Sequence, residues 1–304
     1  MQETKSSFLK LKKKYLNFIQ KQENFGPSFY GKLRQLKRFY LPMSNLIYKS
    51  YIEKKKPIII GLSGGQGSGK STIAQILKII LESKFKLNIV YFSIDDFYKT
   101  FKQRKKMSKK IHKLFLTRGV PGTHDTSLLK NVLKSLLKKN FKPFLIPLFD
   151  KSNDDRYLKK NWKRITKKPD IIIFEGWCVS AKYQAKSLRK PINKLEKEHD
   201  KDLIWRKKVN NELKNKYNKI FRLIDKNIFL KVPNFSYVYK WRILQEKRLK
   251  FLSKGKKIMT ENEVKKFVMH YERVTRDMIS DFKISADVVI GIDKKHRFYK
   301  IKMS

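Results

Sequence analysis

The chain has 304 residues, 40% of them hydrophobic, and its 74 Lys and Arg against 26 Asp and Glu give a formal net charge of +48 at pH 7. This length allows one large buried core. Cys178 is the only cysteine, which excludes an intramolecular disulfide and indicates a reducing compartment. No apolar run approaches the ~18 residues needed to span a bilayer. Residues 1–20 also lack the apolar core of a secretory signal, so we expect a cytoplasmic protein without membrane contact.

The positive charge has two interpretations. A polyanionic partner, such as nucleic acid or an anionic membrane, would explain it. However, the charges are scattered from end to end, and lysine far outnumbers arginine, the usual reader of bases and phosphates. We therefore favour a lysine-rich solvated surface. Nonspecific adhesion to polyanions would be a side effect, and we expect no specific nucleic-acid partner.

Residues 1–56 predict a basic helical extension ahead of a domain that spans residues 57–304. Apolar residues recur at helical spacing in two stretches, around Leu11 and Tyr15 and around Leu36 and Phe39. Neither stretch contains a catalytic pattern, so we expect the extension to pack on the domain.

A phosphate-binding loop is the most specific signal in the chain. Residues 64–71 match G-x-x-x-x-G-K-[ST], between a β-branched run at 57–61 and an apolar helical pattern at 71–81. In this geometry backbone N–H groups and a helix N-terminus surround a polyphosphate. Lys70 can reach the β- and γ-phosphates, and the Ser71 hydroxyl can bind Mg²⁺. The nucleotide-binding residues are predicted to be Gly64, Gly65, Gln66, Gly67, Ser68, Gly69, Lys70, Ser71 and Thr72.

Two acids follow the next predicted strand, residues 87–94. Asp95 and Asp96 run against the composition of this basic chain. Ligands bind at the carboxyl ends of parallel strands, where a carboxylate can hold Mg²⁺ or accept the proton of a substrate hydroxyl. A helix N-cap is the alternative use of Asp here. We favour function, with Asp95 as a catalytic and metal-binding candidate and Asp96 and Tyr98 as substrate contacts.

Residues 117–125 contain two glycines and a proline, which indicate a defined loop. Arg118, His124 and Asp125 give it a cation, an imidazole and an acid, and Arg118 could hold a carboxylate bidentately. Asp125 could instead cap a helix at 126–138, and His124 could be structural. The residues alone leave both interpretations open.

Residues 143–149 predict a strand, and their two prolines indicate an edge position. The polar loop at 150–156 follows on the expected active face. Lys151 and Arg156 are candidate anion contacts there, with a solvated turn as the alternative.

Residues 169–177 contain the strongest strand pattern, an apolar run that ends in the acid Glu175. Glu175 at this position is typical of a Walker B arrangement, which places a carboxylate near Mg²⁺ and the γ-phosphate. We predict that Glu175 is catalytic and that it binds the metal together with Ser71 and Asp95. Cys178 follows, and we expect a buried apolar residue there rather than a nucleophile.

The remaining elements continue the alternation of strands and helices. Strands are predicted at 227–232 and 286–291, the second followed by a basic tail, and a capping box at 260–263 opens a helix. A helix at 234–254 carries Arg242 and Arg248, which could close over the phosphates as a lid or could be surface arginines. The pattern predicts an α/β protein, a three-layer α/β/α fold around a mostly parallel sheet.

Several stretches carry a family resemblance. The phosphate-binding loop and residues 93–98 (Ser-Ile-Asp-Asp-Phe-Tyr) are similar to the P-loop kinases that include uridine kinase, pantothenate kinase and phosphoribulokinase. Residues 118–125 (Arg-Gly-Val-Pro-Gly-Thr-His-Asp) are the most specific piece, supported by 149–151, 154–156, 174–178, 191–196, 239–246 and 286–291. Over roughly residues 40 to 297, the chain resembles the bacterial and plastid type of D-glycerate 3-kinase.

This resemblance implies a P-loop kinase fold and the MgATP-dependent phosphorylation of the 3-hydroxyl of D-glycerate, giving 3-phosphoglycerate. Asp95 would orient or deprotonate the hydroxyl with Glu175 near the metal, or the two roles would be exchanged. Arg118, His124 and Asp125 become the main substrate contacts, and the remaining candidates in the 150–156 loop are weaker ones.

Three other functions remain open from the sequence. A sibling kinase would phosphorylate another hydroxylated acceptor, such as a nucleoside or a different sugar acid. A nucleic-acid-binding P-loop ATPase would make use of the +48 charge, although no aromatic and basic platform for single strands is evident. A pseudokinase would only bind nucleotide. The presence of Lys70, Ser71, Asp95 and Glu175 argues against this function.

Overall fold

The computed structural model describes residues 5–24, 28–184, 188–252 and 259–304, and only the backbone of residues 5, 248–252 and 282–285. The helices are α1 (Lys5–Glu23), α2 (Lys32–Gln35), α3 (Leu41–Lys54), α4 (Lys70–Phe85), α5 (Phe101–Lys110), α6 (Thr126–Leu137), α7 (Lys194–His199), α8 (Ile204–Glu212), α9 (Asn218–Phe221), α10 (Phe235–Leu252) and α11 (Glu261–Ser285). The strands are β1 (Ile58–Gly64), β2 (Ile89–Ser93), β3 (Phe144–Ile146), β4 (Phe149–Asp150), β5 (Asp155–Arg156), β6 (Lys163–Ile165), β7 (Ile171–Glu175), β8 (Lys226–Lys231), β9 (Val288–Ile292) and β10 (Phe298–Met303). Short 3₁₀ turns lie at Ile94–Phe97, Lys113–Leu116 and Lys159–Asn161, and π-helical turns at Leu36–Tyr40 and Leu213–Tyr217.

The central sheet has the strand order β10-β9-β8-β1-β7-β2. Its first five strands along the chain are parallel, and β10 pairs antiparallel with β9 at one edge. The β-branched runs that form β1 and β7 are buried on both faces, as parallel strands between two helical layers require. In the register of these strands Glu175 lies beside both Leu62 and Ser93, so the carboxyl ends of β1, β7 and β2 meet.

Successive residues of the strands enter two different cores. Ile58, Ile60 and Leu62 face the core that α1, α3 and α4 cover, whereas Ile59 faces the core that α6 and α8 cover. This alternation follows from the two-residue repeat of a strand. The three-layer α/β/α fold with a mostly parallel sheet is confirmed.

The N-terminal helices share the core of the sheet. Along α1, which packs against α4, Leu11, Tyr15 and Ile19 are buried at helical spacing in the same core as Leu77. The boundary between an extension at 1–56 and a domain at 57–304 stays a prediction.

Two segments that are far apart along the chain meet at the β10 edge. Phe39 and Tyr40, in the π-helical turn Leu36–Tyr40, pack their rings 5.6 and 5.8 Å from the ring of Phe298. Arg38 also donates from NH2 to the Tyr299 carbonyl oxygen over 3.4 Å.

Two strand predictions need correction. Residues 143–149 do not form an edge strand of the central sheet, because β3 pairs with β6 and β4 with β5 in two separate antiparallel ladders. Pro147 separates β3 from β4, since proline has no N–H to donate to a ladder. The predicted basic tail contains β10, in which a register shift between Phe298 and Lys300 lets Phe298 and Ile301 both pack against the core.

Among the described residues, none of the helices combines the length and apolarity that crossing a membrane would need.

Candidate active site

The phosphate-binding loop leads from the carboxyl end of β1 into α4. Gly67 has φ 76°, and a Cβ there would lie 2.8 Å from the Cβ of Trp241. Gly69 has φ 88° and directly precedes α4. Both positions therefore need glycine, which adopts positive φ without strain, and the loop can curl tightly ahead of the helix N-terminus.

Lys70, the first residue of α4, lies under this loop. Its Nζ donates to the carbonyl oxygens of Gly64 and Gly65 over 3.1 and 3.0 Å. Burial lowers the pKa of this ammonium, and the nearby carboxylates of Glu175 and Asp95 offset part of that effect. The Lys70 ammonium therefore lies in a poorly solvated environment, in which it would bind an anion strongly.

Ser71 and Glu175 bring two oxygen ligands together beside the loop. The Ser71 hydroxyl donates to Oε1 of Glu175 over 3.0 Å, and the Tyr91 hydroxyl reaches the same oxygen over 3.4 Å. Glu175 is only 4% exposed, and burial raises the pKa of its carboxyl group. A hydroxyl and a partly desolvated carboxylate fit Mg²⁺, which protein sites bind with one or two carboxylates plus substrate phosphates. In the part of the chain that the structure describes, no cluster of three or more His, Cys, Asp or Glu side chains could hold a metal.

Asp95 and Asp96 lie at the carboxyl end of β2 in different surroundings. Oδ1 of Asp95 accepts from the Tyr98 hydroxyl over 2.9 Å, and Oδ2 accepts from Nζ of Lys151 over 2.8 Å. Burial alone would raise the pKa of Asp95, but Lys151 and Tyr98 stabilise its carboxylate and hold that pKa below the usual range. Asp96 accepts from the Ser93 N–H over 3.1 Å in a capping box, and burial raises its pKa to about 6.

The loop at 117–125 places His124 behind Tyr98. The imidazole is fully buried, stacks on the Tyr98 ring at 4.4 Å between centroids, and lies with Nδ1 2.6 Å from the Tyr217 hydroxyl. Burial lowers its pKa to about 3, so the ring is neutral. These contacts match the structural interpretation of His124 and make it a support for Tyr98.

Asp125 follows on the same loop and caps α6. Its Oδ1 accepts from the Leu128 N–H over 3.1 Å, while Oδ2 lies 3.4 Å from NH2 of Arg156. Arg156 also donates from NH2 to the Tyr98 carbonyl oxygen over 2.9 Å. Asp125 therefore makes the helix-capping contact that the sequence analysis gave as an alternative. It also contacts Arg156, which was predicted to bind an anion.

Of the predicted cations, Lys151 contacts Asp95 directly, whereas Arg118 contacts the loop that carries Lys151. Arg118 pairs with Asp154 and lies over the Phe149 ring, with its guanidinium carbon 5.6 Å from the centroid. Its NH2 approaches the Lys151 carbonyl oxygen at 3.4 Å. Since the Lys151 ammonium reaches Asp95, the loops at 117–125 and 150–156 bring positive groups to the carboxyl end of β2.

The sequence profile of the Phosphoribulokinase / Uridine kinase family matches residues 59–240, more than half of the chain, from β1 into the first residues of α10. The chain belongs to this family. Its members are P-loop kinases, in agreement with the loop, the Ser71–Glu175 pair and the sheet.

Relatives of this kinase differ in how specifically they are named. "Uncharacterized kinase mug58" of Schizosaccharomyces pombe is 37% identical over 232 residues, which cover 71% of this chain and 79% of that protein. "D-glycerate 3-kinase, chloroplastic" of Arabidopsis thaliana is 30% identical over 224 residues, covering 71% of this chain and 46% of that protein. The solved structure of a D-glycerate 3-kinase from Cryptococcus neoformans matches with a TM-score of 0.73 over 87% of this chain and 99% of that one. At 22% identity, this last similarity supports the fold alone.

The predicted lid arginines of the kinase are only partly described. The Arg242 guanidinium pairs with Glu246 on its own helix and lies 5.7 Å from the centroid of the Phe267 ring. The Arg248 side chain lies outside the described residues. A lid function for either stays a prediction.

Two site residues escaped the sequence reasoning. Arg104 lies among lysines on α5 and was not predicted as a site residue, yet its side chain is fully buried and donates to the carbonyl oxygens of Leu116 and Asp154. Tyr217 was not predicted as a site residue either, yet it lies in a π-helical turn, its hydroxyl accepts from the Gly122 N–H, and it lies 2.6 Å from Nδ1 of His124. An arginine within a run of lysines was a weak signal for Arg104, because arginine is preferred where several acceptors must be held.

Proposed function

We propose that this kinase transfers the γ-phosphoryl group of ATP to the 3-hydroxyl of D-glycerate, with Mg²⁺, and yields 3-phosphoglycerate. The observation that carries the proposal is Asp95, an ionised carboxylate held between Tyr98 and Lys151 beside the phosphate-binding loop. One relative named D-glycerate 3-kinase, 30% identical over 71% of this chain, supports this choice of acceptor.

The phosphates would lie on residues 64–72. Backbone N–H groups of the loop, the N-terminus of α4 and the Lys70 ammonium would bind the phosphate oxygens. Ser71 and Glu175 would hold Mg²⁺, which supplies positive charge to the phosphates when bound.

Asp95 would receive the acceptor. The O–H bond of the 3-hydroxyl breaks, its oxygen forms the new bond to phosphorus, the proton passes to Asp95, and the old P–O bond breaks with its electrons staying on ADP. A carboxylate with a lowered pKa is a weak base, but phosphoryl transfer depends mainly on positioning and charge stabilisation. Tyr98 and Lys151 therefore act by fixing Asp95 in the direction of the phosphate-binding loop.

The carboxylate of glycerate would bind to the cations of the two loops. Arg118 has the planar guanidinium that suits a carboxylate, and Lys151 and Arg156 add positive charge nearby. His124 would support the Tyr98 ring, and Asp125 would hold Arg156, so that both act on the acceptor indirectly. Asp96 would keep the 3₁₀ turn after β2 in place.

The test is ATP consumption by the purified protein at moderate salt. D-glycerate, L-glycerate, uridine and pantothenate are supplied separately, and the phosphorylated carbon is identified by ³¹P and ¹³C NMR. Turnover with D-glycerate alone, with phosphate on carbon 3, supports the proposal. Turnover with another acceptor, or ATP hydrolysis stimulated only by RNA or DNA, would refute it.

A further inference from the structure

The Arg104 side chain has a position unlike its neighbours on α5. Lys102, Lys105 and Lys106 are exposed, whereas the Arg104 side chain is fully buried. Its Nε donates to the Lys99 carbonyl oxygen over 3.2 Å and NH1 to that of Leu116 over 2.7 Å. A buried charge is costly unless it is paired and its donors are satisfied, so these contacts indicate a specific structural task.

The remaining nitrogen of Arg104 connects it to Asp154. NH2 donates to the Asp154 carbonyl oxygen over 2.5 Å and lies 3.0 Å from Oδ2 of the same residue. The other carboxylate oxygen, Oδ1, pairs with Arg118. Asp154 has φ 55°, a left-handed conformation that is strained for most side chains, and two arginines hold it there.

We propose that Arg104 is a positioning residue that sets the affinity of the kinase for the carboxylate of its acceptor. It acts through Asp154, which fixes the guanidinium of Arg118. Arg104 itself is buried and does not reach the acceptor. This inference rests on the proposed function, because it assumes that Arg118 and Lys151 receive the acceptor.

The effect should be confined to the acceptor. A lysine at position 104 keeps the charge, but one ammonium cannot reproduce a planar fork that reaches three carbonyl oxygens and a carboxylate. Arg118 would then lose its fixed orientation, and small misplacements of binding groups can cost about 100-fold. Lys70 and the phosphate-binding loop have separate contacts, so ATP binding should change little.

The experiment compares Arg104→Lys with Arg206→Lys. Arg206 is also buried, 3% exposed, and holds a carboxylate, Asp200, and the carbonyl oxygens of Leu188 and Arg189. None of the described contacts of Arg206 involves the loops at 117–125 or 150–156. We expect Arg104→Lys to raise the KM for D-glycerate by about 10- to 100-fold, with kcat and the KM for ATP within about threefold. Arg206→Lys should lose similar thermal stability and keep the wild-type KM for D-glycerate.

Two further measurements guard against ambiguous results. Asp154→Asn should raise the same KM, and the double variant with Arg104→Lys should be no worse than the stronger single variant, because both act in one chain of contacts. If Arg104→Lys fails to fold, Asp154→Asn alone carries the test. The inference would be overturned by an unchanged KM for D-glycerate in the tested variant, or by an equal rise of that KM in Arg206→Lys. A fall in the kcat of the tested variant with no rise in that KM would also overturn it.

Failure of the proposed function would be visible in the wild-type protein alone, as no turnover of D-glycerate. In that case amide hydrogen exchange tests the positioning role. Residues 150–156 should exchange at least about tenfold faster in Arg104→Lys than in wild type, and Arg206→Lys should leave them unchanged. Equal exchange in wild type and Arg104→Lys would overturn the inference independently of the substrate.

Discussion

Replacing Asp95 by Asn provides the sharpest test of the catalytic assignment. The substitution keeps the size of the side chain and its ability to accept from the Tyr98 hydroxyl, while it removes the charge that faces Lys151. The Lys151 side chain is 63% exposed, so its ammonium stays solvated when the partner is lost, and folding should be little affected.

The expected loss follows from the assigned role. A positioned acid or base contributes about 10²- to 10⁴-fold to a rate, which corresponds to roughly 3–5 kcal/mol of transition-state stabilisation at about 1.4 kcal/mol per factor of ten. Asp95→Asn should therefore lower kcat at least about 100-fold and leave the KM for ATP close to that of the wild type.

Asp96→Asn is the matched control. Asp96 is adjacent, has the same chemistry and accepts from the Ser93 N–H, a contact that Asn can also make. We expect a less than about tenfold loss of kcat and a stability change below about 1 kcal/mol. Coupled ADP release measures kcat for both variants, and thermal unfolding measures their stability. If Asp96→Asn lost more activity than Asp95→Asn, the assignment of the two acids would be refuted.

Three more outcomes can be measured. Lys70→Ala should lower kcat/KM at least about 100-fold, because it removes a preorganised cation from the transferring phosphoryl group, and near-normal turnover would exclude the loop as the phosphate site. Leu11→Ala should destabilise the fold by about 2–5 kcal/mol because it empties a buried position between α1 and the core. Leu9→Ala, 59% exposed on the same helix, should change stability by less than about 0.5 kcal/mol in the same urea titration, and equal effects would contradict the packing of α1. His124, whose pKa is lowered from 6.5 to about 3, takes up a proton in the unfolded chain before the folded one does. Stability should therefore fall as pH drops from 6.5 towards 3, by up to about 1.4 kcal/mol per pH unit. Urea unfolding at pH 7 and pH 5 should show a smaller drop for His124→Gln than for wild type, and identical drops would argue against the buried neutral imidazole.

Local patterns were sufficient to predict the strands and the helix that carry the candidate site. The β-branched runs of β1 and β7 and the helical spacing of α4 are confirmed, because each depends on neighbouring residues alone. The strand register places Glu175 beside Ser93, and Ser71 at the start of α4 donates a hydrogen bond to Glu175. Both residues therefore lie at the carboxyl edge of the parallel strands, where ligands are expected to bind.

Pairing between strands that are distant along the chain could not be predicted from local sequence patterns. Whether residues 143–149 join the central sheet depends on which edges are open after folding, and the structure pairs β3 with β6 instead. In β10 lysines alternate with apolar residues, so in a lysine-rich chain the strand resembled a charged tail. Its one-residue register shift also breaks the simple alternation by which a strand is recognised.

The contacts that hold the site were hidden for a related reason. Burial of Arg104 depends on Leu116 and Asp154, which lie 12 and 50 residues away along the chain. An arginine among exposed lysines is only a weak local signal of such burial. Likewise, the sequence offered both a substrate contact and a structural role for His124, and only the position of Tyr217 behind it separates these interpretations.

The contact between residues 38–40 and β10 has a consequence for biosynthesis. The Arg38 side chain and its acceptor at Tyr299 are 261 residues apart, so at about 5–20 residues per second the ribosome needs roughly 15–50 s to make the partner of a segment that emerges early. During that interval Phe39 and Tyr40 lack the ring of Phe298, while Tyr40 already has its contact with Tyr15. The β9 edge of the sheet therefore stays unpaired until β10 has left the ribosome.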